Sequence, residues 1–296
     1  MEHLPLVSVS VLSYNHVNYI RDCLDSIINQ ERDFEIEILI HDDGSDDGTQ
    51  DVILAYQRDY PEIVKPILQP ENLYRKGLGN FGLRYNFTRA KGKYIAMCDA
   101  DDYWVCSKKL SLQVAFLEEN PDFALVSNLR QNVTAQGEPI EGTIVSVLST
   151  PCLLFRNIFR QDILTYPKKI VTDDIFIVTY VLEFGKAKVL DFLGSVYRHV
   201  DSGSLWSHLS PSEKAIRLRP SLHTMLEFFR TYGYKQSVRR VRFLMAINEF
   251  RYLKHAKDVR FEDYVRGGLC AIRSGKINVV KSYLYIVYQL LLRRSA

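Results

Sequence analysis

Three stretches of the chain change character in the same way, and that repeated change constrains the fold more than any other feature. Residues 6–12 form a β-branched, nearly all-apolar run, as a strand buried on both faces requires. The run stops at the polar loop Ser13-Tyr14-Asn15-His16. Residues 35–41 form a second such run, ending in D-D-G-S-D-D-G-T at 42–49. Residues 94–98 form another, running straight into Asp99, Asp101 and Asp102 and then Tyr103 and Trp104. A helical pattern at 19–30 separates the first two, with Ile20, Cys23, Leu24, Ile27 and Ile28 on one face. A second helix follows 42–49, with Val52, Ile53, Ala55 and Tyr56 as its apolar face and Asp47 or Thr49 as its cap. Then come a short strand at 64–68, a loop rich in Gly, Asn and basic residues at 71–82, and a brief helix up to Ala90. Strand and helix thus alternate three times. The predicted fold is α/β, a mostly parallel central sheet flanked by helices with right-handed crossovers. Ligands bind such sheets at the carboxyl ends of the strands. All three polar clusters fall at those ends and are expected to form one site.

The stretch at 92–104 carries the most chemistry. Side chains alternate along a strand, so Asp99 and Asp101 are expected on one side and Asp102 on the other. Carboxylates converging at the end of a buried strand repel each other and lose hydration, and a divalent cation is the usual remedy. Hard oxygen donors suit Mg²⁺ or Mn²⁺, which often bridge a carboxylate to substrate phosphates. A solvated acidic turn is the plainer alternative. The 42–49 turn is not a calcium loop, because position 12 of such a loop needs Glu and residue 53 is Ile. Asp46–Thr49 suit a structural turn and helix cap. Asp42 and Asp43 at the strand tip are free of that duty, and a carboxylate there can accept from a nucleobase N–H. A phosphotransferase of the D-x-D-x-T kind is disfavoured, since Tyr103-Trp104 stands where that motif needs Thr or Val followed by Leu.

Composition narrows the setting. The 296 residues are 47% hydrophobic and 25% charged, as in an ordinary globular chain. A net charge of +3 does not point to nucleic acid, although acidic residues crowd the first 110 positions and basic ones the last 90. Cys23, Cys98, Cys106, Cys152 and Cys270 show no paired or CxxC spacing and are expected as free thiols in a reducing compartment. The start M-E-H-L-P-L-V-S shows no basic segment leading into an apolar core, and no run approaches the roughly 20 apolar residues of a membrane span. The expected location is cytoplasmic, including the inner face of a membrane.

Beyond Trp104 a helix is expected at 108–119, a strand at 123–128, a polar hairpin at 132–149, irregular segments at 151–157 and 161–167, a helix at 173–184 capped by Thr172, and a strand at 187–198. Asp173 and Asp174 open a helix, where the macrodipole favours carboxylates. Capping and a general-base role both suit them. His199 follows a strand and precedes a Ser/Gly loop ending at Trp206. Residues 210–296 are helical, basic and aromatic, giving two expected domains, 1–209 and 210–296. The apolar, Tyr-rich run at 279–292, with Lys281, Arg293 and Arg294 and with Arg239, Arg240 and Arg242, suits either an interfacial surface meeting anionic lipid or a plain helical packing domain.

The ordered set V-S-V-S-V-L-S-Y-N-H, E-I-L-I-H-D-D-G-S-D-D-G-T, G-K-Y-I-A-M-C-D-A-D-D-Y-W, K-L-S-L-Q-V-A-F-L-E-E-N-P-D, D-D-I-F-I and V-Y-R-H-V-D-S-G-S-L-W-S resembles family 2 glycosyltransferases of the GT-A fold. The likeness is strongest to bacterial enzymes that build lipopolysaccharide and capsular glycans. It implies that Ser13, Tyr14, Asn15 and Asp43 hold the nucleobase and that Asp99-Ala100-Asp101 binds ribose and metal. Asp101 is then a ligand of Mn²⁺ or Mg²⁺, His199 lies near metal and diphosphate, Arg84 contacts phosphate and Asp174 is the base. It further implies a nucleotide-diphospho-sugar donor, most simply UDP-linked, and a glycan or lipid-linked glycan acceptor. Four departures stand out: Ser13 replaces a common Thr, V-C-S follows Trp104 in place of T-D-P, His199 directly follows Arg198, one residue earlier than usual, and Tyr85 separates Arg84 from Asn86. A sugar-phosphate nucleotidyltransferase is the alternative, but the first loop, 13–18, lacks the Gly and Lys that hold a triphosphate. A binding domain without activity is disfavoured by the intact Asp99, Asp101 and Asp174.

Overall fold

The computed structural model describes residues 6–159, 173–200, 209–255, 261–281 and 283–284. The expectations placed on 161–167, Thr172, Trp206 and the tail beyond 284 lie outside the described residues. The chain divides into two units, Met1–Lys169 with Phe184–Ser204, and Ile170–Glu183 with Leu205–Ala296.

In the first unit the alternating pattern folds as expected. Strand β1 (Val7–Ser13), helix α1 (Ile20–Ile28), strand β2 (Ile36–Asp42), helix α2 (Thr49–Asp59), strand β3 (Val64–Leu68) and strand β4 (Tyr94–Met97) follow one another. A π-turn (Gly82–Asn86) and a 3₁₀ turn (Phe87–Arg89) lead into β4. Strands β1, β2, β3 and β4 pair in parallel, with Val7 opposite both Ile36 and Tyr94 and Ser13 opposite Asp42. Every residue of β2 is buried, as are all of β1 but Leu12. This two-sided burial is the physical reason for their continuous apolar runs. Ile20, Cys23, Leu24 and Ile27 of α1 pack into the same core.

The first polar position inside these strands has both a donor and an acceptor partner. Ser8 Oγ donates to Glu37 Oε1 at 2.7 Å and accepts from the Gly92 N–H at 2.8 Å. Gly92 has no room for a side chain, since a Cβ there would stand 2.5 Å from the Ser8 nitrogen.

The rest of the unit is strand β5 (Tyr103–Trp104), helix α3 (Lys109–Glu119), strands β6 (Phe123–Val133), β7 (Val145–Ser146) and β8 (Leu154–Arg156), and, after the segment assigned to the second unit, strand β9 (Lys186–Arg198). The sheet order among the described residues is β3-β2-β1-β4-β8-β6-β9-β5, with β7 on β6. Strand β8 stands in a segment expected to be irregular. It runs antiparallel to both neighbours, pairing Ile95 with Phe155 and Leu125 with Phe155. Strand β6 runs five residues past its expected end because it pairs in parallel with β9 as far as Val133–Arg198.

A buried polar network stands behind β5. Lys109 is fully buried, with Nζ 4.0 Å from the centre of the Trp104 ring and donating to Gln113 Oε1 at 2.9 Å. Gln113 Nε2 donates to Asn128 Oδ1 and to the Cys152 carbonyl. Asn128 Nδ2 in turn donates to Ser195 Oγ. Ser195 Oγ and Trp104 Nε1 both donate to the Pro151 carbonyl, at 2.7 and 2.9 Å. Burial pushes the Lys109 ammonium down to about 8.

The second unit is helical. Helix α4 (Asp173–Val181) buries Phe176, stacked 5.3 Å from Phe229, and Tyr180, edge-on to Tyr234 at 5.5 Å. Helix α5 (Pro211–Thr231) opens with a capping box between Ser210 and Glu213 and with Pro at its first position. Helix α6 (Lys235–His255) pairs with it through a bidentate bridge, Arg219 to Glu249 at 2.7 and 2.9 Å. Helix α7 (Phe261–Arg273) completes the unit, and Arg266 reaches the same Glu249 at 3.1 Å. No helix among the described residues is long and apolar enough to cross a membrane.

Candidate active site

The carboxyl ends of β1, β2 and β4 carry the three polar clusters, as the alternation of elements requires. The loop after β1 is laced to the turn after β2. The Asp43 N–H donates to the Ser13 carbonyl at 3.0 Å. Asn15, held at φ 56°, gives its N–H to Ser45 Oγ and exchanges side-chain hydrogen bonds with Asp46. The His16 N–H reaches Thr49 Oγ1, and the Val17 N–H reaches Asp47 Oδ2. Asp47 also accepts from the Thr49 N–H at 2.9 Å, although Gly48, in the left-handed region, occupies the N-cap position of α2 itself.

The two adjacent aspartates divide the work differently from the expectation that both are free of structural duty. Asp42 holds the turn. Its carboxylate accepts from the Ser45 N–H, from Ser45 Oγ at 2.6 Å and from Gln50 Nε2 at 2.8 Å, and it is fully buried. Asp43 faces the other way. Its two carboxylate oxygens accept the Leu73 and Tyr74 N–H groups at 2.9 and 3.0 Å, and it is 4% exposed. That contact depends on Gly44 (φ 74°), where a Cβ would meet the Glu71 carbonyl carbon at 2.3 Å. Tyr14, on the same rim, has the Arg75 guanidinium 5.9 Å from its ring centre.

Beneath this rim His41 packs against Tyr85 and Phe81, with ring centres 4.3 and 4.8 Å away. Burial, reinforced by the Arg89 cation and opposed by Asp42, pushes its imidazole down to about 4. Gln69 Nε2 lies 3.2 Å from its Nε2, an amide N–H donating to an unprotonated ring nitrogen. Arg84 belongs to the π-turn that supplies Tyr85, and its N–H donates to the Asn80 carbonyl.

The acidic stretch is a turn, so strict strand alternation does not apply to it. The Cys98 and Ala100 N–H groups donate to Ser10 and Leu12 of β1, and the Asp102 N–H closes back on the Asp99 carbonyl at 2.9 Å. Ala100 and Asp102 are thereby buried, while Asp99 and Asp101 stand half-buried. Asp102 Oδ1 accepts the Arg198 N–H at 2.9 Å, which ties the turn to the end of β9, next to His199. Burial first, then the charges of Asp101, Cys98 and Asp99, push the Asp102 carboxyl well above the carboxylate range. Tyr197 is pushed up by burial and by the same three aspartates.

His199 is exposed. Its N–H donates to the Val133 carbonyl, and its ring meets Tyr197 edge-on at 5.2 Å. Sequence reasoning passed over Tyr197 and Arg130, whose guanidinium lies 4.6 Å from the Tyr197 ring centre. Only the Tyr in V-Y-R-H hinted at the pair. Asp173 and Asp174 open α4 in the second unit, where Asp174 Oδ1 accepts the Ile175 N–H at 2.8 Å.

The donor chemistry suits a hard divalent cation. Three carboxylates crowd one turn, and the charges of Asp101 and Asp99 help raise the proton affinity of the buried Asp102, a condition that a cation relieves. The described residues contain no cluster of three or more His, Cys, Asp or Glu able to hold an ion. Mg²⁺-type ions need no such cage, because one or two carboxylates and substrate phosphates suffice.

The profile of the family described as Glycosyl transferase family 2 matches residues 8–164. An Escherichia coli protein named UDP-Glc:alpha-D-GlcNAc-diphosphoundecaprenol beta-1,3-glucosyltransferase WfaP is 36% identical over 128 residues, 42% of this chain and 46% of that protein. The chain spans about half the length of the curated relatives it matches. Among solved structures, S. aureus TarS 1–349 in complex with UDP-GlcNAc aligns with a TM-score of 0.62 at 19% identity, over 92% of this chain and 82% of that one. The mannosyltransferase PcManGT from Pyrobaculum calidifontis, in complex with GDP-Man and Mn²⁺, aligns at 0.56 and 15%, over 97% and 86%. At these identities the likeness is one of fold, and it is the GT-A arrangement.

Proposed function

Since this chain belongs to glycosyltransferase family 2, we propose that it is an inverting hexosyltransferase. It moves a hexose or N-acetylhexosamine from a nucleotide-diphospho sugar, UDP-linked, to a hydroxyl of a cell-surface glycan or lipid-linked acceptor on the cytoplasmic side of a membrane. One observation carries this reading: Ser13–Asn15, Asp43 and the Asp99–Asp102 turn converge at the carboxyl ends of three adjacent parallel strands. Asp43, desolvated and fixed by two backbone N–H groups, accepts from the imide N–H of a uracil, with Tyr14 and Asn15 beside it. Asp99 faces the ribose.

Asp101 and His199 would hold Mn²⁺ or Mg²⁺. When bound, the ion neutralises the diphosphate and acts as a Lewis acid toward the leaving group. Arg84 contributes a cation to the phosphates. Asp174 is the base: it takes the acceptor hydroxyl proton while the oxygen bonds to the anomeric carbon and the sugar–phosphate bond breaks, its electron pair leaving with the diphosphate. General-base help of this kind is worth roughly 10²–10⁴-fold.

The test is titration calorimetry with UDP, GDP and dTDP in Mn²⁺, joined to donor hydrolysis and transfer assays. UDP is expected to bind, Asp43→Ala and Asp101→Ala to lose that binding, and Asp174→Asn to keep it while losing transfer by at least a hundredfold. Unchanged UDP affinity in Asp101→Ala would sink the metal assignment, and near-normal transfer by Asp174→Asn would sink the base. A sugar-phosphate nucleotidyltransferase would instead consume a nucleoside triphosphate.

A further inference from the structure

Charge is strongly partitioned along this chain. Residues 205–296 hold 18 lysines and arginines against 6 aspartates and glutamates, in a protein whose net charge is only +3. Within that region α7 is anchored along one side. Ala271 is fully buried, and a Cβ at Gly267 would stand 2.9 Å from the Tyr283 ring and 3.0 Å from Leu253. A different side of the same helix carries Val265, Leu269 and Ile272, spaced as neighbours on one stripe, and all three are exposed, Ile272 to 66%. Past the helix end Ile277 and Leu284, seven positions apart, are 72% and 60% exposed. Arg273, Lys276 and Lys281, neighbours of these residues in sequence, are exposed, with Lys276 Nζ 4.2 Å from the Phe243 ring centre. The acids Glu249 and Asp263 are engaged internally by Arg219 and Arg266, which leaves Glu262, exposed in the first turn of α7, as the acid facing the three cations.

We propose that this stripe of the C-terminal unit docks on an anionic lipid bilayer. The five aliphatic side chains seat at the boundary of headgroups and acyl chains, and Arg273, Lys276 and Lys281 meet the anionic headgroups. Exposed apolar groups rimmed by cations are what a bilayer interface takes up. A soluble polyanion would engage the cations and leave the aliphatics in water. A second copy of the chain would set like charge against like. The inference rests on the proposed function only for its purpose, which is to bring the enzyme to a lipid-linked acceptor.

The test is flotation of the full chain with vesicles of phosphatidylcholine, with and without phosphatidylglycerol. Flotation is expected with the anionic vesicles only. Each cation near the surface is worth about fivefold in partitioning, so Arg273→Glu/Lys276→Glu should lower the vesicle-bound fraction by at least about tenfold. Leu269→Glu/Ile272→Glu, at exposed positions, should do the same while circular dichroism stays unchanged. UDP-sugar hydrolysis should be unaltered in both variants. Absent flotation with intact hydrolysis therefore overturns this inference alone, and the reverse result overturns the proposed function alone. Equal flotation on neutral vesicles, or variants that float like the parent, would also refute it. So would a dimer in light scattering that Leu269→Glu/Ile272→Glu dissolves, which would assign the stripe to a second copy.

Discussion

His41 makes the first unit's stability depend on pH in a calculable way. Its ring, packed against Tyr85 and Phe81, is held neutral by burial, pushed down to about 4 from an ordinary 6.5. That difference amounts to about 3 kcal/mol of discrimination against the imidazolium. Between pH 6.5 and 4 the unfolded chain binds a proton that the folded chain refuses, so stability falls as pH falls through this window. Above pH 6.5 the contribution is fully present, and below 4 the loss is complete. Against a typical total of about 5–15 kcal/mol, it is a large fraction. His41→Phe keeps a ring against the two aromatics and removes the titration. Urea denaturation should be followed at several pH values through Trp104, which is buried in this unit, with Trp206→Phe in both proteins to leave one reporter. The parent is expected to lose about 3 kcal/mol relative to His41→Phe between pH 7.5 and 4. A parent-minus-variant stability that stays constant to about half a kcal/mol across that range, or that rises as pH falls, would refute the reasoning.

Two further perturbations probe the site and its support. Gly44→Ala must displace the backbone at Glu71–Asn72 and adopt φ 74°. It should cost about 1–3 kcal/mol in thermal denaturation and weaken UDP binding by at least about tenfold in calorimetry, since Asp43 loses its Leu73 and Tyr74 donors. Gln113→Leu leaves the Lys109 ammonium, Asn128 Oδ1 and the Cys152 carbonyl unpaired, at about 1–3 kcal/mol for each buried orphan. Adding Lys109→Met should recover part of that loss in urea denaturation, because the uncompensated charge goes with it.

The parallel half of the sheet was legible because two-sided burial writes itself as unbroken apolar runs, and β1, β2, β3 and β4 fall within a residue or two of their expected bounds. Strand β8 was not. Its three residues are too few to show a period, and their pairing with β4 and β6 is a tertiary fact. The polar clusters at the strand ends were visible in the sequence, but the different hydrogen-bond partners of Asp42 and Asp43 were not, since they depend on which side each faces after the strand stops. The fully buried Lys109 was equally hidden. A lysine at a helix start reads as solvated, and only Gln113 one turn on, with Trp104 before it, gives the ammonium partners.

The short β8 also governs the order in which the molecule can assemble. It alone joins β4 to β6 within the sheet, pairing residues some sixty positions apart on one side and about thirty on the other. Contacts of such long range form slowly. During synthesis β4 therefore waits as an unpaired apolar edge until residue 156 has emerged, and Asp102 waits for its Arg198 N–H until β9 has followed. Edges left open in this way template association between nascent chains. A fragment ending before residue 154 keeps that edge for good. One ending just after Arg198 is the shortest N-terminal piece in which every described strand has its neighbours.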